Sequence, residues 1–253
     1  MTREGGAPSI AVIGGGLTGL MTAAALSHAG PRVHLIDRAE SDAAHPDERT
    51  TTINAAGVRM LAALGAWDRL ETPPAPVTRI AVAEGPAPTG LAARHRPDSD
   101  LSWQSGDTPM GYVVANAALQ SALRETLAAT NVIERRGCGV TGWSAGDTIS
   151  SLGLTDAARQ EEKMEAALVV ACDGARSMMA ELAGLGRREE RQRQTAIVTT
   201  LRAERPHEGT AFQRFLPTGP FALMPGPGDA GGYEMSLVWT LPNDTAQQLI
   251  AAD

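Results

Sequence analysis

Residues 9–38 of this 253-residue chain are the most informative about its fold, and they read SIAVIGGGLTGLMTAAALSHAGPRVHLIDR. A short apolar run at 10–13 predicts a β-strand, and it ends at the glycine-rich turn 14–19. The alanine-rich segment that follows predicts a helix. A second apolar run at 32–36 predicts another strand, which ends at Asp37. The order is therefore strand, tight glycine turn, helix, strand and acid.

The spacing of the glycines predicts a nucleotide-binding βαβ unit. Gly14 lets the chain turn sharply out of the strand, and Gly16 has no Cβ to keep a pyrophosphate away from the backbone. Gly19 lets the helix pack closely on the strand. The helix N-terminus offers free N–H groups to phosphates, and Asp37 can accept hydrogen bonds from a ribose diol. This pattern alone leaves NAD and FAD open, and a glycine turn without a ligand is the less favoured alternative.

Composition limits the function classes. Hydrophobic residues make up 43% of the chain and charged residues 20%, which predicts a packed globular core. The net charge of −7 argues against a broad nucleic-acid surface, which needs a basic face. The two cysteines, Cys138 and Cys172, have neither zinc nor CxxC spacing, so no metal site is expected. The polar N-terminus does not have the pattern expected of a signal peptide, and we expect a cytoplasmic protein.

Periodicity predicts the elements that follow. A helix is expected at 54–64, and a second at 116–130, for which Asn116 is a good N-cap. This second helix has one apolar face with leucines four residues apart: Leu119, Leu123 and Leu127. Residues 131–143 are expected to form one strand, and the segment 157–165 is polar. A buried strand at 166–171 then runs into Asp173-Gly174, which could be an ordinary Asp-Gly turn.

The pattern changes near residue 194, where strands follow one another without helices between them. Such a run predicts an antiparallel segment and a second, sheet-based lobe. We therefore expect a nucleotide-binding lobe at 1–76 and 105–190, with 77–104 partly inserted. The β-sheet lobe is expected at 191–253.

Five segments together resemble one family, the FAD-dependent aromatic hydroxylases of ubiquinone biosynthesis, within the para-hydroxybenzoate-hydroxylase-like flavin monooxygenases. The last segment is the most specific, and it looks nearest to the 2-octaprenyl-6-methoxyphenol hydroxylase branch. The segments are GGGLTG with Asp37-Arg38, RTTTINAAGVRMLAALGAWDRL, GYVVANAALQSAL, ACDGARS and QTAIVTTLRAERPHEGTAFQRFLPTGPFALMPGPG.

The resemblance implies an α/β fold: a Rossmann-like FAD-binding lobe with a parallel sheet, and a mainly antiparallel β substrate lobe. It also implies cofactor-binding roles for residues whose plainer interpretations, such as a solvated Arg49 or a simple helix cap at Asn116, stay open. In that family the glycine turn holds the FAD pyrophosphate, the acid after the second strand holds the ribose, and the Asp-Gly motif is linked to NAD(P)H use. The implied residues are Gly14, Gly16, Gly19, Asp37, Arg38, Arg49, Asn116, Asp173 and Gly174.

The resemblance further implies a reaction and its partners. Reduced flavin would react with molecular oxygen to give a C4a-hydroperoxide, which hydroxylates the ring of a polyprenylated phenol, with NAD(P)H as co-substrate. No catalytic acid or base is expected from the protein. The apolar prenyl tail implies contact with a membrane surface or with ubiquinone-pathway proteins, and a peripheral location at the inner membrane.

Two departures from the family pattern stand out. Relatives carry an arginine three residues after Ser177, where this chain has Ala180. Relatives also carry a third motif, a Gly-Asp at a strand-helix junction, and no such sequence follows the β-sheet lobe here. We therefore expect that the C-terminal third of the family's sequence is missing from this chain. Two alternatives therefore remain: a non-catalytic scaffold that keeps the FAD-binding fold, and a related flavin hydroxylase with a soluble aromatic substrate.

Overall fold

The computed structural model of the chain describes residues 9–40, 47–86, 100–228 and 230–252. The strands are β1 Ser9–Ile13, β2 Arg32–Asp37, β3 Thr50–Asn54, β4 Ala75–Val77, β5 Arg79–Glu84, β6 Leu101–Gln104, β7 Gly111–Ala115, β8 Ile133–Arg136, β9 Gly139–Ser144, β10 Ser150–Thr155, β11 Glu161–Ala166, β12 Leu168–Ala171, β13 Gln194–Arg202, β14 Thr210–Leu216, β15 Gly219–Pro225 and β16 Glu234–Pro242. The α-helices are α1 Leu17–His28, α2 Ala55–Ala63, α3 Asn116–Ala128, α4 Met178–Leu182 and α5 Asn243–Ala251, and a 3₁₀ turn spans Trp67–Arg69.

The described residues fall into two compact units. The first is drawn from Met1–Asp47, Leu61–Leu70 and Leu119–Arg188. The second is drawn from Glu48–Met60, Glu71–Ala118 and Glu189–Asp253. Among the described residues, no helix is long and apolar enough to cross a membrane.

The first unit is built on a parallel sheet with strand order β12-β1-β2-β8. Helix α1 connects the neighbouring strands β1 and β2, which gives the predicted βαβ unit. A three-stranded antiparallel sheet, β11-β10-β9, packs its apolar residues against the parallel sheet. The shared core includes Ala11, Ile13, Ile36, Leu152, Leu154 and Met164. The predicted leucine face of α3 is buried as well, because Leu119, Leu123 and Leu127 are all nearly inaccessible.

The second unit contains a six-stranded sheet with order β13-β16-β15-β14-β5-β6. Its pairs are antiparallel except for β14 and β5, which run parallel. A small sheet, β3-β7-β4, packs on it through a cluster that includes Val77, Val113 and Met224. Helix α5 packs against β13 and β16. The α/β fold, with one parallel-sheet lobe and one mainly antiparallel β lobe, is therefore confirmed.

The unit boundaries differ from the lobes expected from the sequence. Strand β5 does not sit in an insertion of the nucleotide-binding lobe, because it pairs with β14 along residues 79–84 and 210–215. Residues 48–60 and 71–76 also belong to the second unit, since β3 and β4 both pair with β7. Pairing between distant strands, which periodicity does not report, sets these boundaries.

Three local expectations were wrong. The segment 131–143 is not one strand, because Gly137 takes a φ of +65° and separates β8 from β9. In the polar segment 157–165, where no strand was predicted, strand β11 forms and buries Met164. Thr50–Asn54 forms strand β3, where no strand was predicted. Two sequence predictions, a solvated cluster at Arg94-His95-Arg96 and a turn at Asp229, lie outside the described residues.

Candidate functional site

The glycine-rich turn between β1 and α1 is shaped by close backbone contacts. Gly14 has a φ of +104°, which a side chain would oppose, and a Cβ at this position would strike the carbonyl of Cys172. A Cβ on Gly19 would strike the carbonyl oxygen of Gly14. The turn is held by hydrogen bonds from Gly14 N to Ile36 O (2.8 Å) and from Leu20 N to Gly16 O (2.9 Å). Two of the predicted glycines are therefore required by close packing within the protein.

Gly16 differs from these two glycines. It is the N-cap of α1, with φ −73° and ψ 178°, values that any residue adopts. A Cβ built here would have no protein atom within 4 Å, and the residue is exposed. The space that a side chain would fill thus lies open at the positive end of a twelve-residue helix. This open cradle fits a pyrophosphate group.

A cleft of about 380 Å³ opens beside the turn in the first unit. Its walls come from the ends of β1 and β2, the start of β9, and the segment after β12. The lining residues include Gly14, Gly16, Asp37, Arg38, Asp173 and Gly174. Six of the nine residues implied by the resemblance are thus brought together, and the buried Gly19 lies directly behind them.

Asp37 stands at the end of β2 with its carboxylate above the glycine turn. A Cβ on Gly15 would strike Asp37 Oδ2, so a side chain at this position would displace the carboxylate. Asp37 Oδ1 accepts a hydrogen bond from the N–H of Ala39 (3.2 Å). The neighbouring Arg38 is exposed and lines the cleft. A carboxylate acceptor and a cation therefore lie beside the open cradle.

The carboxylate of Asp173 accepts two hydrogen bonds at the N-terminus of helix α4, whose N-cap residue is Ser177. Oδ1 accepts from the Ser177 hydroxyl (2.6 Å), and Oδ2 accepts from the N–H of Met179 (3.0 Å). Burial alone would raise the pKa of Asp173, but these hydrogen bonds outweigh it and hold the pKa below its ordinary value. Gly174 has a φ of +83° and leaves the side facing its missing Cβ open. The Asp173 carboxylate thus stays ionised and orders the loop that borders the cleft.

Arg49 and Asn116 belong to the second unit. The N–H of Asn116 donates to the carbonyl of Arg49 (2.9 Å), and Asn116 Oδ1 accepts from the hydroxyl of Thr51 (2.5 Å). Arg49 also borders a pocket of about 350 Å³, together with Thr50 and Ser236. Thr50 Oγ1 donates to Ser236 Oγ at 3.1 Å. Arg49 and Asn116 are therefore linked by a hydrogen bond, and Arg49 borders a pocket lined in part by hydroxyl groups.

Sequence reasoning missed three residues that shape the cleft or its support. Arg176 lines the cleft, and its place in the ACDGARS segment could have suggested it. Gly15 was passed over because its constraint comes from Asp37, on another strand. Arg124 reaches the glycine turn from α3, and no local pattern marks it.

Comparison with known proteins places the chain in a family. The FAD binding domain family matches residues 8–248. The ubiquinone hydroxylase UbiL of Rhodospirillum rubrum is 36% identical over 249 residues, which cover 96% of this chain and 54% of the relative. The 3-demethoxyubiquinol 3-hydroxylase of Escherichia coli is 29% identical over 222 residues, which cover 85% of this chain and 54% of the relative. The chain thus spans about half the length of these relatives.

Solved structures show the same fold. The crystal structure of p-nitrophenol 4-monooxygenase PnpA from Pseudomonas putida DLL-E4 matches with a TM-score of 0.75 and 19% identity. The match covers 96% of this chain and 60% of that one. At that identity the similarity supports the fold alone. From the match over residues 8–248 and the 36% identity to a ubiquinone hydroxylase, the chain belongs to the FAD binding domain family, and its resemblance to the FAD-dependent aromatic hydroxylases of ubiquinone biosynthesis is confirmed.

Proposed function

We propose that this chain serves an FAD- and NAD(P)H-dependent monooxygenase that hydroxylates the aromatic ring of a polyprenylated phenol in ubiquinone biosynthesis. The observation that carries the proposal is the 36% identity to a ubiquinone hydroxylase along 96% of the chain. The open cradle at Gly16, with a carboxylate and two arginines around it, supports FAD as the cofactor.

Different residues of the cleft would bind different parts of FAD. Gly16 and the start of α1 would receive the pyrophosphate, because the N–H groups there are free to donate. Asp37 would accept hydrogen bonds from the adenosine ribose. Arg38 and Arg176 line the cleft and would add positive charge around the phosphates. Asp173 would act indirectly, by ordering the loop that carries Gly174.

The chemistry supplied by bound FAD is the transfer of two electrons from NAD(P)H to O₂, which puts one oxygen atom on the ring and releases the other as water. The protein's contribution is to orient the ring and exclude water. We propose that the phenol binds over the sheet of the second unit. There the hydroxyls of Thr50 and Ser236 would meet the polar edge of the ring.

Isotope labelling tests the reaction. The purified chain is supplied with FAD, NADPH and ¹⁸O₂, and with either a polyprenylated phenol or the same phenol without its prenyl chain. We expect one ¹⁸O atom in the ring of the prenylated compound, found by mass spectrometry and dependent on FAD. Hydroxylation of the short phenol alone would favour a soluble aromatic substrate. A folded chain that binds no FAD would favour the non-catalytic scaffold.

We also propose that the protein works in the cytoplasm at the surface of the inner membrane. A polyprenyl tail partitions into the bilayer, so the enzyme must collect its substrate there. Flotation with vesicles tests this location, with and without a prenylated phenol in the lipid. Recovery of the protein in the vesicle fraction only when the phenol is present supports substrate-led contact, and no recovery in either case contradicts it.

A further inference from the structure

We propose that Arg124 is the residue that positions the ribose- and pyrophosphate-binding groups of the cofactor site. Arg124 lies on α3, and its side chain is 13% exposed. One end of its guanidinium is anchored, because Nη1 donates to both carboxylate oxygens of Glu134 on β8 at 3.2 and 3.1 Å. The other end faces the glycine turn. The inference rests on the assignment of FAD to the cleft in the proposed function.

The Nη2 end of this guanidinium lies close to two parts of the cradle at once. Arg124 Nη2 donates to the carbonyl oxygen of Gly15 at 3.4 Å, and it lies 3.8 Å from Asp37 Oδ2. Asp37 Oδ2 is also the atom that a Cβ on Gly15 would strike. The Arg124 guanidinium therefore fixes the glycine turn and the Asp37 carboxylate relative to each other.

The contact with Gly15 fixes the direction of a neighbouring donor. In a planar trans peptide the C=O of one residue and the N–H of the next point in opposite directions. A Gly15 carbonyl that points at Arg124 therefore turns the N–H of Gly16 away from Arg124. Gly16 lines the cleft, so this orientation prepares its N–H for a phosphate oxygen.

The contact with Asp37 restrains the acceptor for the ribose. Asp37 Oδ1 already accepts from the N–H of Ala39, and Arg124 constrains Oδ2 from the other side. A carboxylate held in this way loses little rotational freedom when it binds a diol. Without Arg124 the carboxylate can turn, and its hydrogen bonds to the ribose hydroxyls weaken.

A pair of nucleotides separates positioning from a general structural role. ADP carries the ribose hydroxyls that Asp37 would bind, and 2′,3′-dideoxy-ADP lacks them. We expect the wild-type chain to bind ADP about tenfold more tightly than the dideoxy analogue. In Arg124→Gln the ratio of the Kd for 2′,3′-dideoxy-ADP to the Kd for ADP should fall towards one, and the Kd for FAD should rise about tenfold or more. Calorimetry measures all three affinities.

Further variants guard against misfolding and loss of charge alone. Arg124→Lys keeps the charge but loses the two-ended guanidinium, and it should lower the same ratio. A single lysine ammonium cannot donate to Glu134 and to the glycine turn with the same geometry. Glu134→Gln should lower it less, since only the anchor weakens. Arg135→Gln is the matched control: it removes a neighbouring arginine-carboxylate pair, with Glu162 at 2.7 Å, and should leave the ratio unchanged.

The outcomes are distinct. An ADP preference in both Arg124 variants equal to that of the wild type overturns the inference and leaves the cofactor assignment standing. If the Arg124 variants bind ADP and the dideoxy analogue more weakly by the same factor, the inference is also overturned, because that result indicates a structural role. If the wild-type chain is folded and binds neither FAD nor ADP, the cofactor assignment fails and the inference fails with it.

Discussion

Replacing Gly16 by alanine should separate the cofactor site from the fold. The added Cβ meets no protein atom within 4 Å, and the backbone angles of Gly16 suit any residue. Alanine is the poorer N-cap, by about 0.5 kcal/mol. Its smaller unfolded-state entropy restores about 0.4–1 kcal/mol. The two effects nearly cancel, so the free energy of unfolding should change by less than about 0.5 kcal/mol.

The same methyl group occupies the space assigned to the pyrophosphate. Losing one hydrogen bond to a charged phosphate costs about 1.5–3 kcal/mol. The Kd for FAD should therefore rise about 10- to 150-fold. Quenching of flavin fluorescence measures the Kd, and urea denaturation followed by circular dichroism measures stability.

Gly142→Ala is the matched control for this experiment. It also adds a Cβ with no protein atom within 4 Å, but on strand β9, and it does not line the cleft. We expect this variant to match the wild type in both assays. A Gly16→Ala variant that binds FAD as tightly as the wild type would refute the assignment of this space to the pyrophosphate.

Three other substitutions test the packing and charge of the site. Gly19→Ala forces a Cβ onto the carbonyl oxygen of Gly14, so the free energy of unfolding should fall by about 1–3 kcal/mol in urea denaturation; an unchanged midpoint would contradict the close packing. Asp173→Asn removes a carboxylate whose pKa in the folded protein lies below its ordinary value of 3.8. The stability that this carboxylate contributes is therefore present above pH 3.8, and it is lost as the pH falls through the pKa of the folded state. The unfolding free energies of wild type and Asp173→Asn should therefore differ most near pH 7 and converge below pH 3.8, whereas a constant gap would speak against the hydrogen-bonded carboxylate. Asn116→Ala removes the buried amide whose Oδ1 accepts from the partly buried hydroxyl of Thr51, and should cost about 0.5–1.5 kcal/mol in thermal and urea unfolding; a loss no larger than that of an alanine substitution at an exposed residue would count against this contact.

Local patterns in the sequence were enough to predict the βαβ unit and much of the cleft. The first strand, the glycine turn, helix α1 and the acid at Asp37 follow one another directly, so each is visible in one short stretch. The buried face of α3 was predicted for the same reason, because Leu119, Leu123 and Leu127 repeat at helical spacing. The strand before Asp173-Gly174 was also apparent as a short apolar run.

Features that depend on distant residues could not be predicted in this way. Strand β5 joins β14 from far along the chain, and no periodicity within 79–84 indicates that partner. Strand β11 is rich in charge because only Met164 and Ala166 face the core. Gly15 and Arg124 became evident as parts of the site only when β2 and α3 were brought beside the turn.

Titration of the purified chain with FAD tests the central claim most directly. We expect saturable binding at one FAD per chain, with a shifted visible spectrum, and weaker binding for Gly16→Ala but not for Gly142→Ala. A chain that is folded by circular dichroism, yet shows no saturable binding at high FAD concentration, would contradict the assignment of the cleft to this cofactor.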